Sequence, residues 1–180
     1  MRAKLIVNCF LTRDSGILYK AFCAFVHQVL EFSSVLWNPY FKMDINKIEN
    51  IQRRFTKTIF PQLPYSERLV KLYLPILEMR RVMADLTTCY KLLNGLIDID
   101  SDNFFVASNN TRTRGNSRKL QKNHVLNIRD ANMFHNRVIN FWNKLPDSVV
   151  LATSISRFKR RLLSFVLNLG SEHFHHDKTS

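Results

Sequence analysis

The sequence predicts a mainly α-helical bundle of about five helices, with a basic loop or short β-hairpin inserted near residues 103–129. Three observations carry this. Apolar residues recur at steps of three and four over several long stretches, and Asn38-Pro39, Pro61, Pro64, Gly95 and Pro146 fall between those stretches. Hydrophobic residues make up 46% of the 180 positions and aromatic ones 12%, enough to build a core for one ordinary domain or two very small ones. Only 4 Gly and 5 Pro exclude collagen-like and low-complexity chains.

Ser15 to about Val35 is apolar almost all round: Ile17, Leu18, Phe22, Phe25, Val26, Val29, Leu30 and Phe32 are interrupted only by Lys20, His27, Gln28 and Glu31. A helix without a wide polar face belongs inside, so a central, mostly buried helix is expected here. Asn38-Pro39 ends it, because the residue before proline avoids the helical region. A second helix starts at Asp44 or a near neighbour. Its apolar positions are Ile45, Ile48, Ile51, Phe55 and Ile59, and at about 100° per residue Lys47, Arg53, Arg54 and Lys57 fall on the opposite face.

Pro61 and Pro64 mark a loop, and Tyr65 to Tyr73 predict a short helix. Pro75 suits the first turn of a third long helix, whose seam Ile76, Met79, Met83, Leu86, Tyr90 and Leu93 has bundle spacing. Glu78 and Asp85 lie at i−3 and i+4 from Arg81, and Gly95 is the expected C-cap. From Asp98 the texture changes: after Asp98, Asp100 and Asp102 no acid occurs before Asp130, while Arg112, Arg114, Arg118, Lys119, Lys122 and Arg129 do. This polar segment is the expected mobile region. Helical texture returns at Ala131 to Lys144 through Met133, Phe134, Val138, Phe141 and Trp142, and Leu145-Pro146 breaks it. Ser154 caps a last helix to about Leu169, with Ile155, Phe158, Leu162, Phe165 and Val166 on one face and Arg157, Arg160 and Arg161 away from it. The organisation is thus 1–97, a helical subdomain; 98–130, a basic loop with possible short strands; 131–169, a helical pair; and 170–180, a disordered tail.

The 27 Lys+Arg against 14 Asp+Glu give a net charge of +13, so the expected partners are polyanions: RNA or DNA, held through backbone phosphates. The candidate contacts are Lys47, Arg53, Arg54, Lys57, Arg112, Arg114, Arg118, Lys119, Lys122, Arg157, Arg160 and Arg161, with Phe104 and Phe105 as stacking candidates that are better read as core. Asp98, Asp100 and Asp102 take the first, third and fifth positions of a calcium loop, but Asn103 and Asn109 stand where that loop needs Gly and Glu. Three cysteines at unrelated spacings, Cys9, Cys23 and Cys89, fit neither a disulfide framework nor a four-ligand zinc site. His173, His175 and His176 lie where nothing fixes a metal geometry, and the Cys23/His27 pair lacks an acidic orienter, so it reads as packing. No phosphate loop, dinucleotide fingerprint or nucleophile elbow occurs, so no catalytic residue, metal ligand or cofactor is assigned within the chain. The apolar stretch Leu5 to Leu11 fails as a secretory leader, and no run approaches the length of a membrane span; an intracellular, nuclear or cytoplasmic protein without a membrane partner is expected.

A series of short motifs adds to this reading. Leu18-Tyr19-Lys20-Ala21-Phe22, Val29-Leu30-Glu31-Phe32 leading to Leu36-Trp37-Asn38-Pro39-Tyr40, and Ile48-Glu49-Asn50-Ile51-Gln52-Arg53-Arg54-Phe55-Thr56 resemble the region that follows the polymerase domain in non-LTR retrotransposon reverse transcriptases of the jockey and chicken-repeat type. Tyr65 to Leu69, Leu74 to Arg81, Asp85-Leu86, Tyr90-Lys91, Asn94-Gly95, Thr113-Arg114-Gly115, Arg137-Val138, Trp142-Asn143-Lys144-Leu145-Pro146 and Phe158-Lys159 continue the resemblance in order, over roughly residues 9 to 165. The resemblance implies a parent RNA-directed DNA polymerase of a mobile element, needing Mg2+, of which this chain is a fragment downstream of the catalytic palm. Such an enzyme needs paired Asp to hold its metal ions, and Met83-Ala84-Asp85-Leu86 offers one Asp inside a helix, so no family catalytic residue carries over. The expected role is support of template and primer. The alternatives are an interaction bundle, in which the seam from Ile76 to Leu93 pairs with the upstream polymerase domain or another copy, and a decayed fragment without a function of its own.

Overall fold

The computed structural model describes residues 14–108 and 116–173, with side chains through Val166. It is mainly helical, as the periodicity predicts, and falls into two compact units, Met1–Arg81 and Val82–Ser180. That division lies upstream of the one at 97/98 that composition suggests.

Among the described residues the first helix of the first unit is α1 (Ser15–Phe22), capped by Asp14, whose carboxylate accepts from the amides of Gly16 and Ile17. The helix expected over 15–35 runs without a break only from Ser15 to Glu31, carries a π-helical turn, and is only partly buried. After α1 the chain makes a π-helical turn at Cys23–His27, one short turn α2 (Gln28–Glu31), a left-handed residue Ser33 at φ 51°, and a second short turn α3 (Ser34–Trp37). Only Leu18, Ala21, Phe22 and Val26 of its large apolar residues are buried, while Phe25, Val29, Phe32 and Leu36 are exposed. The wide turn changes which side chains face inward, and it brings His27 inside.

α4 (Lys42–Ile59) follows, starting two residues before Asp44 as the sequence allows, with Phe41 at its N-cap. Phe55 stacks on Phe22 at 4.0 Å between ring centroids, and Ile51, Ile59 and Leu30 close the cluster. α5 (Tyr65–Lys71) buries Leu69 beside Leu72 and Leu74 in a second cluster that Tyr19, Phe60 and Ile76 flank. Its end is a Schellman turn: Leu74 N–H donates to Leu69 O (2.9 Å) and Tyr73 N–H to Val70 O (3.1 Å), with Tyr73 left-handed at φ 51°.

α6 (Leu77–Leu93) starts two residues past Pro75, and its end is capped as expected. Gly95 stands at φ 62°, Leu96 N–H donates to Lys91 O (2.8 Å) and Gly95 N–H to Leu92 O (3.1 Å). In the second unit Leu86, Cys89, Tyr90 and Leu92 of this helix are buried. The expected hairpin near 103–129 reduces, among the described residues, to one antiparallel bridge between Ala107 and Leu120. Nor is its distal arm loose: Asn143 bonds both the N–H and the C=O of Leu120 (2.9 and 2.8 Å), and the Asn116 amide donates to Trp142 O and Leu145 O (2.9 and 3.0 Å). Side-chain amides here replace a strand ladder.

α7 (Ile128–Ala131) and α8 (Phe134–Trp142) precede α9 (Asp147–Val150) and α10 (Ile155–His173). Trp142 and Phe158 are fully buried, Tyr90 stacks on Phe158 at 4.3 Å, and the Tyr90 hydroxyl donates to Ala152 O at 2.7 Å. Ser154 Oγ accepts from Arg157 N–H at 3.3 Å, as an N-cap should. α10 runs past Gly170 to His173, so the tail predicted from residue 170 is helical at its start; His175 and His176 lie outside the described residues. Among those residues no helix is long and apolar enough to cross a membrane.

Candidate nucleic-acid interface

α4 shows why its cations are available. Its inward arc holds Ile48, Ile51, Phe55 and Ile59, and together with them the polar Glu49, Gln52 and Thr56, all three buried. The outward arc carries Lys42, Lys47, Arg53, Arg54 and Lys57, all exposed and, at about 100° per residue, within about 140° of one another. Lys47 pairs with Asp44 at 3.0 Å on the surface. Arg53, Arg54 and Lys57 have no carboxylate partner among the described residues. Arg53 instead donates to Asn50 Oδ1 (2.9 Å) and lies 4.9 Å from the centre of the Tyr65 ring. Arg68 approaches the same ring at 5.4 Å and donates to the Arg53 carbonyl at 2.9 Å, so α5 fixes where Arg53 stands.

Behind that face lies a polar network the sequence reading missed. Tyr65 OH donates to Glu49 Oε1, and Glu49 Oε2 accepts from Leu77 N–H at 2.9 Å. Gln52 Nε2 donates to Tyr65 OH (3.2 Å) and Pro75 O (3.1 Å), leaving Gln52 Oε1 to accept from His27 Nε2 at 2.9 Å. Burial, then the hydrogen bond to Glu49, pushes the Tyr65 phenol up, and burial pushes the His27 imidazole down. Both are therefore neutral at pH 7. The network joins the π-helical turn, α4, α5 and the start of α6, and it holds the cationic face of α4 in place. A signal existed for Gln52, which falls inside the isoleucine stripe, where an unpaired polar group would be costly; Glu49 lies at the edge of that stripe, midway between Ile45 and Arg53.

The other predicted cations belong to the second unit. Arg112 and Arg114 lie outside the described residues. Arg118 is exposed and donates to Asn94 Oδ1 at 3.0 Å, Lys119 is half-buried, and Lys122 is exposed. On α10, Arg157 donates to Thr153 Oγ1 (2.9 Å), Arg161 donates to Ser148 O (2.5 Å), and Arg160 and Arg161 line an open groove of about 470 Å³ with Pro146, Ser148 and Val149. Ser117 tethers the Arg118 segment to the same α9, giving both its N–H and its hydroxyl to Asp147 Oδ1 (2.7 and 2.8 Å). Those bonds hold the Asp147 carboxyl below its usual range. α9 thus holds Arg161 through Ser148 and the Arg118 segment through Ser117.

The remaining candidates have other employment. Phe105 is buried and meets Phe134 edge-on at 6.0 Å, so it belongs to the core. Asp100 caps the turn Ser101–Asn103 by accepting from Asp102 N–H at 3.0 Å, and no cluster of potential metal ligands occurs among the described residues. Asp85 sits inside α6, buried, and receives the Arg137 guanidinium fork at 2.8 and 2.9 Å. His27 turns from Cys23 to Gln52. The buried Cys89 thiol and the half-buried Cys23 thiol are both pushed up by burial. Compared with protein-family models, with curated proteins and with solved structures, the chain matches none.

Proposed function

We propose that this chain is a non-catalytic support that binds RNA or DNA through backbone phosphates, corresponding to the post-polymerase region of a mobile-element reverse transcriptase. The observation that carries the binding reading is the division of α4 into a buried arc and an arc of five exposed cations, of which only Lys47 has a carboxylate partner among the described residues. Arginine or lysine in that setting gains most by meeting phosphate, because each contact releases condensed counterions. The parentage rests on the ordered motifs of the sequence. An upstream polymerase domain would supply the paired Asp and the Mg2+ chemistry.

Filter binding of the chain to RNA and to duplex DNA across salt tests the proposal. With about six phosphate contacts, affinity falls about a thousandfold between about 50 and 200 mM salt. Negligible affinity at the lower value, or none of this salt dependence, sinks it. Replacing Arg53, Arg54 and Lys57 with Gln lowers the slope by about 0.9 per lost contact and leaves folding intact, since all three are exposed.

A further inference from the structure

The charge on the first unit is unevenly spread. From Ala21 to Phe41 the chain has no Lys and no Arg, and its one acid, Glu31, is engaged by Arg80. At the end of this stretch Trp37, Tyr40 and Phe41 are 41%, 41% and 58% exposed, and the next residue, Lys42, begins the cationic arc of α4. The Tyr40 and Phe41 rings lie 4.2 Å apart, tilted by 40°. The Trp37 indole N–H is already given to Phe32 O, so what that ring offers a partner is its π surface. Three partly exposed aromatic residues, two of them with rings in contact, therefore lead in the chain into a row of cations that runs about 22 Å from Lys42 to Lys57.

Resting on the proposed phosphate binding, we infer that this unit takes unpaired nucleic acid in preference to duplex, with bases stacked on Trp37, Tyr40 and Phe41 and phosphates following α4. Stacking platforms beside a basic track are how proteins hold single strands without reading sequence, because every base has a π face. A duplex keeps its bases stacked on one another and offers these rings nothing. A second copy of the chain would bring two cationic arcs together, and their repulsion opposes it.

Fluorescence anisotropy on the whole chain distinguishes the possibilities with three probes of equal length, about twelve nucleotides, a size such surfaces cover. They are an oligothymidylate, an abasic strand with the same phosphates, and a duplex. The oligothymidylate binds at least about fivefold more tightly than the abasic strand, the loss expected for one stacked base. Tyr40→Ala/Phe41→Ala removes that preference and leaves abasic binding unchanged. Oligothymidylate also quenches Trp37 emission, an effect Trp37→Phe abolishes, whereas Trp142 is fully buried and stays bright. Equal, salt-dependent binding of oligothymidylate and abasic strand overturns the stacking inference and leaves the phosphate reading standing; no binding of any probe at about 50 mM salt ends both. Partition into phosphatidylcholine–phosphatidylserine vesicles or self-association, lost in Tyr40→Ala/Phe41→Ala while base preference is absent, also overturns it. The three-probe comparison needs no variant, so a folding defect in a mutant does not protect the inference.

Discussion

Gln52 lies within the isoleucine arc of α4 and Glu49 at its edge, and each is satisfied by groups from other elements: Tyr65, Leu77, Pro75 and His27. His27 makes the network sensitive to acid. Burial lowers its pKa from 6.5, so below that value the unfolded chain binds a proton that the folded chain refuses. Its contribution is intact above 6.5 and declines as the pH falls from there toward the depressed value. Urea midpoints measured across this window should drop more for the wild type than for His27→Gln, and equal drops would assign the dependence to other groups. In the second unit, Asp85 and Arg137 hold each other with side chains only 4% and 12% exposed. Asp85→Ala or Arg137→Ala strands a buried charge and should cost about 3–5 kcal/mol in denaturant unfolding, whereas the paired change Asp85→Leu/Arg137→Leu should cost much less. Sequence spacing put Asp85 beside Arg81 on one helix; the Arg137 fork comes from 52 residues away, and no local pattern announces it.

Two helix ends share one geometry and differ in the residue that makes it. α6 turns out through Gly95 and α5 through Tyr73, both left-handed and both closing the same pair of backbone hydrogen bonds. Glycine meets that conformation without strain, and a tyrosine does not. Gly95→Ala should therefore destabilise by about 1 kcal/mol although a methyl there would touch nothing within 4 Å, and Tyr73→Gly should stabilise by a similar amount because that side chain is 89% exposed. Thermal melts of the two variants check both signs. The Gly95 cap was legible because glycine marks such ends, while the Tyr73 cap is set by Leu74 burying against Leu69. The same contrast explains the first helix. Apolar content alone foretold a buried rod over 15–35, but composition carries no sign of the wide turn at Cys23–His27 or of Ser33, and these leave Phe25, Val29 and Phe32 outside. The α4 stripe forms with the expected spacing on both arcs, and it carries four of the twelve candidate cations, Lys47, Arg53, Arg54 and Lys57.

Across the whole molecule the net charge of +13 acts on folding and on binding with opposite sign. Self-repulsion weakens the compact state, so added salt should raise the melting temperature while it lowers affinity for nucleic acid; a melting temperature that falls with salt would show surface ion pairs outweighing the repulsion. The segment without lysine or arginine has one more consequence, for mapping. Trypsin cuts after those residues alone, so between Lys20 and Lys42 it finds no site, and Trp37, Tyr40 and Phe41 leave the digest together on one peptide, Ala21–Lys42. Ultraviolet crosslinking to a thymidine oligomer followed by mass spectrometry would then place any adduct with these rings on that single fragment.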